Sequence, residues 1–294
     1  MQNSKQIIKC QICYSKKLKP ILFLGYLPPV NQFYKLKYKP KEQPSYPAEL
    51  LHCKNCNLVQ LSTIVDKKIL FPKEYPYTSS TTKILRDNFQ QLYKEVIKNF
   101  NFKKNSLIID IGSNDGNLLS NFKDDFKVLG ITPEKIGKLA IKKGISTLLK
   151  YFNLNTSKYV LKKFGKAKII TATNVFAHID NLNEIMIGIK NCLDKDGIFI
   201  SESHYLIPLL KSVQYDTIYH EHLRYYSLNS LNFLFNKYKL EIFDAKEIKS
   251  HGGSIRVYCA RKGKYKIRMS INKILKQEKK YFNKKEFSRF NTNV

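Results

Sequence analysis

The stretch DTIYHEHLRYYS, residues 216 to 227, gathers Tyr219, His220, Glu221, His222, Tyr225 and Tyr226 in a chain that has only six histidines. Imidazole titrates near neutrality, so it can take a proton from a substrate at physiological pH. A neighbouring carboxylate can fix its tautomer and support the imidazolium, and tyrosine hydroxyls can donate to an oxygen on which charge develops. Metal chemistry fits less well. The HExxH zinc helix needs a histidine where Arg224 stands, and the deaminase pattern lacks its P-C-x-x-C. A surface turn that happens to collect polar groups is the alternative.

A second group is built for metal. Cys10-Gln11-Ile12-Cys13 and Cys53-Lys54-Asn55-Cys56 are two CxxC knuckles separated by a segment rich in Pro, Lys and Tyr. Each knuckle offers two thiolates to one tetrahedral ion, and two knuckles complete a closed zinc site, which holds shape and does no catalysis. Zinc is the default over iron in such a site. Four inert thiols are the alternative, and His52 beside Cys53 is expected to be an exposed bystander.

The third group is Asp110-Ile111-Gly112-Ser113-Asn114-Asp115-Gly116. Its glycines let the backbone approach a ligand where a strand turns into a helix. The pattern is neither GxGxxG nor GK[ST], so neither a dinucleotide fingerprint nor a P-loop is present. An acid at the strand end followed by small residues suits a cationic ligand such as S-adenosylmethionine better than a pyrophosphate. A tight structural turn is the bland alternative.

These groups need elements to position them. ILRDNFQQLYKEVIKNF has apolar spacing near 3.6 and reads as an amphipathic helix, and SLIIDIG is a short apolar run like a buried parallel strand. Beyond it, helices are expected from about 116, over 133–143, 155–164 and 181–193. Strands are expected over 126–131, near 145–149, over 167–173 and over 197–203. This alternation argues for an α/β doubly wound, mostly parallel sheet. The helix SLNSLNFLFNKY and the strands KLEIFDAKEI and GSIRVYCAR then suit an antiparallel closure of one edge.

The two knuckles, GSNDG after an apolar strand, NVFAHIDNL (174–182), YHEH (219–222) and HGGSIRVY (251–258) occur in the order found in the sugar C-methyltransferases, and the chain resembles that family from about residue 8 to 262. The resemblance implies S-adenosylmethionine-dependent methylation of a carbon in a nucleotide-linked keto-deoxysugar. It implies a zinc-binding N-terminal domain over 1–75 and a class I methyltransferase domain, Rossmann-like with a seven-stranded sheet, over 76–262. It also implies cofactor contacts at Asp110, Gly112, Ser113, Asn114, Gly116, Thr132 and Asn174, with zinc held structurally by Cys10, Cys13, Cys53 and Cys56. His222 would be the base, helped by Tyr219 and Glu221. His178 is a further site candidate or a packed histidine; Tyr77, like Tyr75, closes over the substrate or packs in a linker; Arg256 meets a phosphate or pairs at the surface; His204 is undecided.

Two departures stand out. The second strand of this class usually ends in an acid that grips the cofactor ribose; LGITPEK offers Thr132 instead. After Arg261 comes only a lysine-rich, helix-forming stretch over 263–294, so the family's third domain is expected to be missing or supplied as a separately encoded partner. O- or N-methylation of a small metabolite, or a non-catalytic remnant, are the other readings.

The formal charge of +29 raises nucleic acid as a partner, but only six of the 52 cationic residues are arginine, the residue that nucleic-acid sites favour for bidentate contacts. No specific nucleic-acid partner is expected. No signal peptide or eighteen-residue apolar run is present, so a cytoplasmic, membrane-free location is the expectation.

Overall fold

The computed structural model describes residues 3–33, 35–37, 42–71 and 78–294. The N-terminal part is built from β1 (Ser4–Gln6), β2 (Leu18–Leu27), β3 (Tyr46–Cys53), β4 (Val59–Leu61), β5 (Thr63–Val65) and the single turn α1 (Lys67–Leu70). Helix α2 (Lys83–Asn99) leads into the sheet. It buries Leu85, Phe89, Leu92 and Val96, one stripe at helical spacing.

The main sheet follows in alternation: β6 (Leu107–Ile111), α3 (Asn117–Ser120), β7 (Lys127–Ile131), α4 (Gly137–Lys142), β8 (Thr147–Leu148), α5 (Leu154–Phe164), β9 (Ala167–Thr173), α6 (Leu182–Cys192) and β10 (Leu193–His204). After α7 (Leu206–Lys211), the two-residue β11 (Arg224–Tyr225), α8 (Leu228–Lys237), β12 (Leu240–Ile248) and β13 (Ser254–Arg261) come α9 (Met269–Glu278) and α10 (Lys284–Asn293). The order across the sheet is β12-β13-β10-β9-β6-β7-β8. Strands β8, β7, β6, β9 and β10 run parallel, and β13 is antiparallel to both neighbours. This is the expected seven-stranded, mostly parallel class I methyltransferase sheet.

The pleat sends alternate residues of β6 into different layers. Ile109 and Ile111 pack with α5, α6, α8 and α9 residues, among them Val160, Met186, Leu231 and Ile274. Ile108 packs with Phe89, Leu92 and Val96 of α2 and Leu118 of α3. Helices therefore cover both faces, as parallel strands require.

Two features bear on the expectations for the chain ends. The N-terminal sheet has the order β11-β4-β3-β2, so its last strand comes from the residues directly after YHEH. The lysine-rich stretch forms α9 and α10, which bury Ile271, Ile274, Phe287 and Phe290 against the rest of the chain. His52, expected to be exposed, is 2% exposed, with its ring against Phe282 and Phe287. The tail rings cover it, and burial pushes it down to about 4. Among the described residues no helix is long and apolar enough to cross a membrane.

Candidate active site and metal centre

Sheet order reverses between β6 and β9, and the crevice beyond the carboxyl ends of such strands is where open α/β sheets bind ligands. The loop after β6 is a compact built turn. Gly112 (φ 76°) and Gly116 (φ 78°) take left-handed conformations, and a Cβ at Gly112 would lie 2.3 Å from Val175 Cγ2. The Ser79 amide donates to Asn114 Oδ1 at 2.9 Å, its hydroxyl to the buried Asp115 at 2.6 Å, and Asn117 donates back to the Ser79 carbonyl at 3.2 Å. Asp115 also pairs with Lys143 at 3.1 Å. Ser79 was not singled out from the sequence; a lone serine in a linker carries no signal of such a role.

Asp110 is the last residue but one of β6, and Thr171 of β9 donates to it at 2.7 Å across the point of reversal. Burial lifts its carboxyl to about 7. Thr132 follows β7 and is buried, and its hydroxyl donates to the Glu134 carboxylate. The acid missing from the strand end is thus present two residues later, folded back to it. Asn174 follows β9 with φ 56°, its amide donating to the Glu202 carbonyl at 2.7 Å. The buried Ser113 hydroxyl has no partner among the described residues. Orphan polar capacity at Ser113 and the carboxylate of Glu134 fit a cationic cofactor with ribose hydroxyls, and they lie on the loops expected to hold S-adenosylmethionine.

The histidines converge beside it. His222 Nδ1 lies 3.0 Å from the Thr217 carbonyl, which can only accept, so Nδ1 carries the proton and Nε2 keeps its lone pair. The Tyr219 hydroxyl donates to Nε2 at 3.1 Å. Glu221 is buried and accepts from Asn31 of the N-terminal part, which ties the loop down, and the Thr217 carbonyl orients the His222 ring. His178 stacks edge-on at 5.0 Å between ring centroids, and His204, held by Gln214 at 3.1 Å, lies 6.3 Å away. Burial, then the neighbouring His178, holds His222 well below the usual imidazole range, and burial pushes His178 to about 4. Both rings are neutral at neutral pH. His220 instead donates to the Pro47 carbonyl at 3.2 Å and packs on Tyr46.

Arg256 is not at the surface. It is fully buried and pairs with Glu202 at 2.8 Å and Glu95 at 3.1 Å. Glu202 and Arg256 face each other in register on β10 and β13, so each supplies the counter-charge that burial demands. The turn at His251–Gly253 joins β12 to β13. Tyr75 and Tyr77 lie outside the described residues.

The four cysteine sulfurs lie within 4.8 Å of one another, with Cys10–Cys56 and Cys13–Cys53 at 3.5 Å. A sulfur tetrahedron with Zn–S of about 2.3 Å has edges of about 3.8 Å, so the residues fit one zinc ion. The knuckles repeat one backbone pattern: Tyr14 donates to Cys10 O and Asn57 to Cys53 O, both at 3.0 Å, and both donors are left-handed.

Comparison with known proteins agrees with this geometry. A zinc binding domain model matches residues 10–71 and a methyltransferase domain model matches residues 84–244. The C-methyltransferase NovU of Streptomyces niveus is 27% identical over 278 residues, covering 94% of this chain; the chain spans 66% of that relative's length. Solved structures include an S-adenosylmethionine-dependent methyltransferase of Clostridium acetobutylicum (16% identity, TM-score 0.46, covering 63% of this chain and 94% of that one). Another is the magnesium protoporphyrin IX methyltransferase of Synechocystis with S-adenosylhomocysteine bound (12% identity, TM-score 0.46, covering 60% and 83%). With a seven-stranded sheet, a glycine loop at its point of reversal and a four-thiolate centre before it, the chain belongs to the methyltransferase domain family and carries an N-terminal zinc-binding domain.

Proposed function

We propose that the chain methylates a carbon adjacent to a ketone in a nucleotide-linked deoxysugar, with His222 as the base. The observation that carries this reading is the His222 tautomer, fixed by the Thr217 carbonyl so that the Nε2 lone pair meets the Tyr219 hydroxyl beside His178. The similarity to a C-methyltransferase supports transfer to carbon. When bound, the cofactor supplies an activated methyl group on a sulfonium; the protein's own tasks are orientation and deprotonation.

For His222 Nε2 to take the α-proton, the Tyr219 hydroxyl that donates to it turns away and donates instead to the enolate oxygen that forms. A neutral, buried imidazole is in its accepting form at neutral pH, and the negative charge that develops on substrate offsets the cost of the imidazolium. Glu221 and His178 hold the shape of this pocket. Asp110, Gly112, Ser113, Asn114, Gly116 and Asn174 form the cofactor cradle, and Thr132 orients Glu134 toward the ribose. The zinc-binding domain frames the His222 loop through β11, and the division near residues 75 and 262 is the domain organisation that goes with this reading.

Proton exchange tests it. Incubated with S-adenosylhomocysteine and a nucleotide-linked keto-deoxysugar in deuterated water, the chain should wash the α-proton into solvent. With S-adenosylmethionine the same sugar should gain a methyl on that carbon. A sugar that is turned over to an O-methyl product with no washout would overturn transfer to carbon.

A further inference from the structure

One short strand joins the four-thiolate centre to the histidine pocket. β4 begins at Val59, just after Cys56, and pairs with β11, setting Gln60 against Arg224. The buried Gln60 side chain accepts the amide of Gln11, inside the first knuckle, at 2.9 Å. The Gln11 side chain and the Leu61 amide both donate to the Leu223 carbonyl, at 3.5 and 3.1 Å. Residues from both knuckle strands therefore hold the backbone next to His222.

Arg224 sits at this junction, 1% exposed. Its guanidinium donates to the carbonyls of Phe176 and Asp180 at 3.2 Å each, and to that of Ile179, so it clamps the loop that carries His178. Leu223 adds a backbone bond to Ala177 in the same loop at 2.9 Å. Among the described residues no carboxylate lies within ion-pair distance of Arg224. The other fully buried arginine, Arg256, has Glu95 and Glu202. Isolated buried charges are strongly disfavoured, so Arg224 needs a counter-charge from somewhere. Burial pulls it below the ordinary arginine value, and Tyr226, Asp180 and Cys10 act against that pull. Four thiolates around one divalent ion keep a net negative charge, and one of them, Cys10, is the chain neighbour of Gln11, which is hydrogen-bonded to the Gln60 paired with Arg224.

We propose that Arg224 is a positioning residue that uses the metal-bound thiolates of the knuckles as its counter-charge and, through the carbonyls it clamps, passes the state of the metal centre to His178 and His222. The coupling touches turnover only through the proposed role of His222. Loss of metal would loosen the base end of the pocket while leaving the loop at Asp110–Gly116, whose bonds to Ser79, Lys143 and Thr171 do not run through the knuckles, as it was.

The test uses the full metal-loaded chain and the imidazole NMR signals of His178 and His222. Stripping the metal with a chelator should shift or broaden both signals in the wild type, with S-adenosylhomocysteine affinity unchanged. In metal-loaded Arg224→Gln the signals should already be displaced, and their further response to stripping should be lost. Wild-type signals that stay in place on stripping, or an Arg224→Gln chain that responds as the wild type does, would overturn the proposal. Should that variant not fold, amide exchange in the wild type decides. Stripping should speed exchange at Leu61 and Leu223 and leave Gly112 and Gly116 protected; a uniform rise across all four would sink the coupling. Neither readout needs a methyl acceptor, so failure here and failure of proton washout are separate results.

Discussion

The loop at Asp110–Gly116 is held by Ser79, Lys143 and Thr171, all from the helices and strands around the main sheet, whereas the loop at Tyr219–Tyr226 is held in large part from the N-terminal part of the chain. The first takes its shape from two left-handed glycines, the following helix turn and Ser79. The second depends on Asn31, Pro47, Gln60 and Phe176, which belong to four separate segments, and on Thr217 just before it. A loop held from within the main sheet can keep its shape when the N-terminal part is disturbed. A base assembled from distant segments exists only when all of them are in place, so proton abstraction should be lost before cofactor binding under most insults.

The largest effect tests that separation directly. His222→Gln should lower proton washout and methyl transfer by roughly 10²–10⁴-fold, the usual share of a positioned general base. S-adenosylhomocysteine affinity should be unchanged by calorimetry. Affinity falling in parallel with turnover would mean that the two ends are one structural unit.

Gly112→Ala is the complementary break. The left-handed backbone and the contact with Val175 together make this substitution cost about 2 kcal/mol. It should appear as roughly thirtyfold weaker S-adenosylhomocysteine binding, with the His222 imidazole signals unmoved. Displaced His222 signals would show that the cofactor loop is not self-contained.

The same contrast explains what the sequence made legible. The strands and helices of the sheet announced themselves because each repeats a local pattern; AKIITAT, for instance, is β9 residue for residue. The glycine loop and the knuckles were legible for the same reason, since their chemistry sits within a few residues. Nothing local marks β11, two residues long, as the edge of a sheet begun at residue 18. His52 was expected at the surface, and Arg256 at a phosphate or in a surface pair, because isolated charged and polar residues usually lie outside. The usable signal for Arg256 was Glu202: each sits within a run of apolar or small residues, IFISES and SIRVYCA, where a charge calls for a partner. Glu134 was in plain view in LGITPEK, but only the backbone turn at Pro133 brings it back to Thr132.

Acidity separates the two ends more gently. Glu278 of α9 accepts the first amides of α8, from Leu228 at 2.6 Å and Asn229 at 2.9 Å, and the Tyr205 hydroxyl at 3.0 Å, tying the end of β10 to the chain just after the His222 loop. Burial lifts it to about 7 from an ordinary 4.5. Between those values the folded chain keeps a proton that the unfolded chain has released, so this carboxyl's contribution to stability falls as pH rises through the window and levels off above it. Buried His178 and His52, both pushed to about 4 from 6.5, act with the opposite sign between those limits. Their presence makes the difference between wild type and Glu278→Gln, not the raw curve, the informative quantity. Urea unfolding across the window should show the wild type losing about 1–3 kcal/mol relative to the variant. A flat difference would mean that Glu278 is ionised throughout and acts only as a helix cap.

The smallest expected effect concerns the departure at Thr132. A carboxylate accepting from a ribose hydroxyl is worth about 1 kcal/mol more than a neutral acceptor, so Glu134→Gln should weaken S-adenosylhomocysteine about fivefold. The control is the 2′,3′-dideoxyribose analogue, which has no hydroxyl for Glu134 to hold. Wild type and variant should bind it equally, because the loss follows the hydrogen bond and not the shape of the loop. Thr132→Val removes the hydroxyl that donates to Glu134 and should give a loss no larger than that of Glu134→Gln, again only with the hydroxylated ligand. If both ligands lose affinity alike, Glu134 shapes the end of β7 without touching the cofactor. The cofactor end would then lean on its surroundings as the base end does, and the contrast between them would narrow.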